Sequence, residues 1–139
     1  MNVFLDSSAL AKRYVQESGS ARVDEILLSA SSLGISMVSV PEVVSALCRR
    51  RREKKLSQQQ YLKAKQALLE DLRDASIVNV TDQVVARAVE LLERWPLRSS
   101  DSLHVASAAE WAADLFVSAD ETQCAAARGY GLRVEEIKL

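Results

Sequence analysis

Val3-Phe4-Leu5-Asp6-Ser7-Ser8, continuing as Ala9-Leu10-Ala11-Lys12-Arg13-Tyr14, decides how the rest of the chain is read. Three apolar residues run into an aspartate, and the two serines after it read as the cap of a helix. A strand that gives way to a helix at an acidic residue is the opening unit of an α/β chain.

The same alternation continues downstream. A helix is expected from about Ser20 to Ala30, with Val23, Ile26 and Leu27 on its apolar face. Gly34 then opens a second strand, Ile35 to Val38, and Ser39 with Pro41 starts a helix that puts Glu42 in its first turn. That helix should reach the neighbourhood of Lys55, where Leu56-Ser57 separates it from a second helix, making an αα-hairpin. Ile77 to Val80 reads as the third strand. Thr81-Asp82 caps a helix whose Val84, Val85, Ala88, Leu91, Leu92 and Trp95 form one stripe before Pro96.

Ser99-Ser100 caps the most alanine-rich helix, Asp101 to about Ala113, which has too little polar surface to be peripheral. Leu115 to Ser118 is the fourth strand, Asp120 opens a short helix, and Leu132 to Val134 follows the Gly129-Tyr130-Gly131 turn as an edge strand. Strands separated by helices imply a three-layer α/β sandwich: a mainly parallel sheet of four or five strands, flanked by helices. With 139 residues, 48% of them hydrophobic, the chain is expected to be one domain, residues 1–139, with no repeat or linker.

Composition excludes several function classes. Eighteen basic against nineteen acidic residues leave a net charge of −1, so bulk electrostatics alone would not hold nucleic acid. Local basic patches remain, the clearest being Arg49 to Arg52 with Lys54 and Lys55, which reads either as a solvated helix end or as a phosphate contact. Cys48 and Cys124 lack metal-knuckle spacing and read as thiols of a reducing compartment. The apolar start stops at Asp6 and carries no basic flank, so neither a signal peptide nor a membrane span is expected, and the protein is expected to be cytoplasmic. With four glycines and no GxxxxGK[ST] or GxGxxG run, a nucleotide-binding loop is not expected.

In a parallel sheet, ligands bind beyond the carboxyl ends of the strands. Asp6, Glu42 and Asp120 leave three strands at that end, and Asp101 heads the central helix. Any one of them alone is as well explained as a helix-start acid, stabilised by about 0.5–2 kcal/mol of capping and dipole interaction. Convergence is not so explained, because four like charges at one sheet end repel unless a cation neutralises them. Hard oxygen donors without Cys or His partners suit Mg²⁺ or Mn²⁺, and a carboxylate-held divalent ion suits phosphodiester hydrolysis.

Phe4-Leu5-Asp6-Ser7-Ser8-Ala9-Leu10-Ala11-Lys12-Arg13-Tyr14, Ser39-Val40-Pro41-Glu42, Arg98-Ser99-Ser100-Asp101-Ser102-Leu103-His104-Val105-Ala106 and Phe116-Val117-Ser118-Ala119-Asp120-Glu121-Thr122, taken in order, resemble the PIN domain. In particular they resemble the VapC-type toxins of bacterial toxin–antitoxin pairs. The resemblance implies a Mg²⁺- or Mn²⁺-dependent endoribonuclease that cuts RNA. It also implies a homodimer, and a cognate VapB-type antitoxin whose C-terminal segment covers the acidic groove. By resemblance, Asp6 and Asp101 are the primary metal ligands, while Glu42 and Asp120 complete the cluster directly or through water and help orient the attacking water.

Around this quartet, Ser7 is a cap that is also a candidate for contact with a metal-bound water or phosphate, and Ser118 is a weaker case. Arg98 is a candidate phosphate contact beside a solvated reading. His104, three residues after Asp101 and on its helical face, reads first as a hydrogen-bonded core residue that is able to reach the site. Tyr14, Leu47, Leu56 and the hairpin helices are expected to offer the dimer or antitoxin surface, by resemblance alone. A haloacid-dehalogenase-type phosphatase would need an aspartate where Ser8 stands, and a receiver domain would need one after the third strand, where Asn79-Val80-Thr81 intervene. A PIN-like module that binds RNA or protein without cutting is the non-enzymatic alternative.

Overall fold

The computed structural model describes residues 1–139. Its elements run β1 (Asn2–Leu5), α1 (Ser7–Ala11), α2 (Ser20–Ser29), β2 (Ser32–Ser36), α3 (Ser39–Arg52), α4 (Gln58–Asp74) and β3 (Ser76–Val78). They continue with α5 (Asp82–Arg94), α6 (Ser99–Glu110), β4 (Leu115–Ser118), α7 (Glu121–Gly129) and β5 (Val134–Glu136). The five strands form one sheet in the order β3-β2-β1-β4-β5, every pairing parallel. The expected α/β sandwich is therefore present, with the sheet parallel throughout.

Alternation along β1 sends side chains to two cores. Val3 and Leu5, with their register partners Leu115 and Val117, face a cluster completed by Leu10, Ile26, Val43 and Leu68 of α1 to α4. Phe4 and its partner Phe116 face the other way and stack at 6.0 Å, among Val84, Leu91, Val105 and Ala127 of α5 to α7. On that face Gly34 of β2 leaves room for an indole. A Cβ at this position would lie 2.6 Å from the ring of Trp111.

Several boundaries differ from expectation for local reasons. β2 starts at Ser32 because it pairs with Asn2 of β1, and it ends at Ser36, whose hydroxyl accepts from Val38 N–H at 3.2 Å and turns the chain into α3. β3 ends at Val78, since Thr81 N–H bonds back to Asn79. β5 begins at Val134 rather than Leu132, because Leu132 N–H still bonds to Ala127 at the end of α7. α6 stops at Glu110, and Ala112 takes a positive φ of 60°.

The αα-hairpin forms as expected, with Ser57 and Gln60 exchanging the reciprocal bonds of a capping box. Leu47 does not lie on its surface. It is 1% exposed, one turn after Val43 on the stripe of α3 that faces the sheet, which removes it from any partner interface. Tyr14 donates its hydroxyl to Asp71 at 2.7 Å, and Leu56 packs against the same core. No helix is long and apolar enough to cross a membrane.

Candidate active site

The strand order runs outward in both directions from β1 and β4, so the crevice between these neighbours opens at their carboxyl ends. Asp6 stands there. Its N–H still bonds to Val117 of β4 at 3.1 Å, and its carboxylate then turns to cap α1, accepting from Ala9 N–H at 2.9 Å. The cap of the first helix is thus Asp6 itself, not Ser7 or Ser8. Ser8 instead donates to Asp6 Oδ1 at 2.7 Å, and Ser118 donates to Oδ2 at 2.6 Å.

Asp6 is wholly buried. Burial pushes its pKa up, opposed first by the electrostatic influence of His104 and then by the donors from Ser118, Ala9 and Ser8. The two serines also join the turns after β1 and β4: Ser8 Oγ accepts from Ala119 N–H at 3.0 Å, and Ser118 Oγ from Asp120 N–H at 2.9 Å.

Asp120 caps α7 by accepting from the backbone of Gln123 at 3.0 Å. The buried Gln123 side chain reaches on to Asp101, donating from Nε2 to Oδ1 at 3.1 Å. The other oxygen of Asp101 accepts from Arg98 N–H at 3.2 Å, closing the first turn of α6, and stands 3.4 Å from Arg98 Nε. The Arg98 side chain is otherwise 83% exposed. Glu42 leaves the first turn of α3 with Oε1 accepting from Ser7 Oγ at 2.7 Å and 2.6 Å from His104 Nε2. The His104 bond is the main reason its carboxyl is held below the usual range, against partial burial.

Three of the four expected acids, Asp6, Asp120 and Asp101, are therefore linked through Ser118 and Gln123, while Glu42 sits in a separate group with Ser7 and His104, near enough for His104 to act on Asp6 electrostatically. Glu42 and Asp120, with Ser7 and Ser8, line an open groove that continues along α3 to Arg49 and Arg50. Arg49 and Arg50 lie seven and eight positions after Glu42, on the same side of α3, so the basic run is partly a wall of this groove and not only a solvated helix end. Arg50 pairs with Glu17, which also holds the buried Lys12 Nζ at 3.2 Å.

No three His, Cys, Asp or Glu side chains stand close enough together to hold a metal ion. Each acid is turned toward a protein donor: Asp6 to serines, Glu42 to His104 and Asp101 to Gln123. The donor set nevertheless fits a hard divalent ion. Its oxygens are those of four carboxylates, and Gln123, which donates to Asp101, leaves its own Oε1 a buried acceptor without a donor.

A family model for the PIN domain matches residues 3–129. The chain belongs to the PIN domain family. Its fold is shared with a toxin–antitoxin complex from Klebsiella pneumoniae, at a TM-score of 0.71 and 15% identity, covering 98% of each chain. VapC20 from Mycobacterium tuberculosis, described as a sarcin-ricin loop cleaving toxin, aligns at 0.69 and 18% identity, covering 89% of this chain and 94% of that one. VapBC2 from Rickettsia felis, bound to a DNA fragment from its promoter, aligns at 0.71 and 14% identity, covering 99% and 100%. At these identities the likeness is one of fold. No curated protein matches the sequence significantly.

One residue of this assembly, Gln123, escapes sequence reasoning, and a second, His104, is read there first as a core residue able to reach the site. Gln123 looks like any polar residue on a short helix, and nothing in the sequence marks it. His104 carries a signal, its spacing from Asp101, yet its contact with Glu42 depends on how α6 packs beside α3.

Proposed function

We propose that this PIN domain is an endoribonuclease that hydrolyses RNA phosphodiester bonds with Mg²⁺ or Mn²⁺, and that it is the toxic member of a toxin–antitoxin pair. The observation that carries the reading is the gathering of Asp6, Asp120 and Asp101 through Ser118 and Gln123 beside a Glu42 held by Ser7 and His104, with Glu42 and Asp120 lining a groove that also takes in Arg49 and Arg50.

Asp6 and Asp101 are the primary candidate ligands, with Glu42 and Asp120 binding directly or through water. A bound divalent ion supplies polarisation of a phosphate oxygen and water of lowered pKa. The chain's own residues do the rest. Glu42, kept ionised by its donors, is suited to orient the attacking water and take its proton. Ser7 and Arg98 are candidate contacts to phosphate oxygens, and Arg49 extends that contact along the groove.

The toxin–antitoxin complexes among the structural relatives support a small VapB-type antitoxin as inhibitor; a homodimeric assembly, implied by the family resemblance, and a cytoplasmic setting are parts of the same proposal. The test is cleavage of single-stranded RNA by purified protein. Activity should require added Mg²⁺ or Mn²⁺, stop with chelator, and vanish in Asp6→Asn and Asp101→Asn. Wild-type rates in both variants would remove the carboxylate mechanism and leave a binding module that does not cut. Co-expression with the adjacent small reading frame should yield an inhibited complex; without one, the toxin assignment fails while the nuclease assignment stands.

A further inference from the structure

His104 is the chain's one histidine, and it is only 2% exposed. Its ring makes its contacts through one nitrogen. Nε2 lies 2.6 Å from Glu42 Oε1 and 3.2 Å from Ser7 Oγ, while Nδ1 is buried without a partner. A Ser-His-Glu relay would need the serine and the acid on opposite ring nitrogens. Here both fall on Nε2, so the imidazole does not activate Ser7.

The arrangement has another consequence. Ser7 Oγ is 2.7 Å from the same Oε1, so the hydroxyl and the imidazole converge on one oxygen of Glu42. An ionised carboxylate only accepts, which requires the proton of the pair to sit on Nε2. Two donors from two different helices, Ser7 on α1 and His104 on α6, hold a glutamate that belongs to a third, α3. Oε1 is occupied by the protein, while no hydrogen bond of the structure reaches Oε2; beyond these two donors only the Ser100 hydroxyl of α6 adds to the hold on the carboxyl, and Glu42 lines the groove.

We infer that His104 is a positioning residue: by donating from Nε2 to Oε1 it fixes the Glu42 side chain so that Oε2 is presented to the groove. This rests on the nuclease reading for its purpose, but not for its geometry. Partners that orient metal-site ligands in this way change affinity or activity by about 10–100-fold when removed.

The experiment uses tag-free, full-length protein with ¹⁵N-labelled histidine, which has a single pair of ring-nitrogen resonances. Nε2 should carry a proton, and Glu42→Gln should shift both resonances while Asp120→Asn leaves them near the wild-type positions. An unprotonated Nε2, or signals indifferent to Glu42→Gln, would overturn the assignment whether or not the protein cuts RNA. The kinetic arm uses two substitutions, with folding of each checked by thermal melting. His104→Gln, which keeps a donor near Nε2, should retain most of kcat; His104→Asn, which loses it, should drop kcat about 10–100-fold at unchanged KM. In a Glu42→Gln background His104→Asn should cost nothing more. Equal rates for the two folded variants, or losses that multiply with Glu42→Gln, would show that His104 does not act through Glu42. A wild-type protein that cleaves no RNA would sink the nuclease reading, and the resonances would still decide the geometric one.

Discussion

Ser118 Oγ donates a 2.6 Å hydrogen bond to Asp6 Oδ2 across 112 positions of sequence, and the carboxylate it meets has no exposure to solvent. Asp6 has no lysine or arginine partner among its contacts. It is stabilised by the nearby His104 and by hydroxyl and backbone donors, and together these do not offset the loss of water.

That imbalance predicts a stability cost at neutral pH. Burial raises the folded-state pKa of Asp6 above its unfolded value. Between the two, the folded chain holds a proton that the unfolded chain has released, so stability falls as pH rises through this window and the deficit persists above it. Asp6→Asn should therefore melt at or above the wild-type temperature at neutral pH, an advantage that fades in acid below the unfolded carboxylate value. A markedly less stable variant at neutral pH would contradict this account of the site.

Divalent ions should relieve the same cost. Added Mg²⁺ or Mn²⁺ should raise the melting temperature of the wild type relative to chelator, by up to about 2.7 kcal/mol of stability at a hundredfold excess over Kd. Asp6→Asn and Asp101→Asn should show a much smaller rise. A shift of equal size in these variants would place the ion elsewhere.

Arg49 is exposed on the groove and forms no salt bridge in the structure. Arg49→Ala should weaken binding of single-stranded RNA measured in chelator, where nothing is cut. The slope of log affinity against log salt should fall by about 0.7, the share of one phosphate contact on a single strand. An unchanged slope would take Arg49 out of the binding surface.

Gly34 and Trp111 make a prediction about the scaffold. Gly34→Ala should destabilise by about 1–3 kcal/mol, because the added methyl meets the indole of Trp111 and β2 is held by partners on both sides. Combined with Trp111→Leu the two losses should be sub-additive in chemical denaturation. Simple additivity would mean that the methyl is accommodated without moving the ring.

Sequence reading recovers the layers because β1, β4 and the helix stripes each obey one period: Phe4 and Phe116 face one core, Val3 and Leu115 the other. It finds the acids because each stands where an element begins. It places Leu47 wrongly because an apolar residue on a hairpin helix fits either a core or an interface, and only the rotation of α3 against the sheet decides. It assigns the first cap to Ser7 or Ser8 because serine is a good cap. The structure gives that task to Asp6, whose carboxylate serves the helix and the crevice together. Gln123 and His104 meet Asp101 and Glu42 only through packing between elements distant in sequence, which local patterns do not record.

The central position of β1 also orders events during synthesis. Its β2 neighbour follows within some thirty residues of chain, but its other edge stays open until residues 115–118 leave the ribosome. Ser118, Asp120 and Gln123 arrive with or after that strand, so a shorter nascent chain carries Asp6 and Asp101 without the Ser118 and Gln123 that hold them. If the assembled site cuts RNA, the strand order itself delays that chemistry, sparing the translating machinery until β4 has docked.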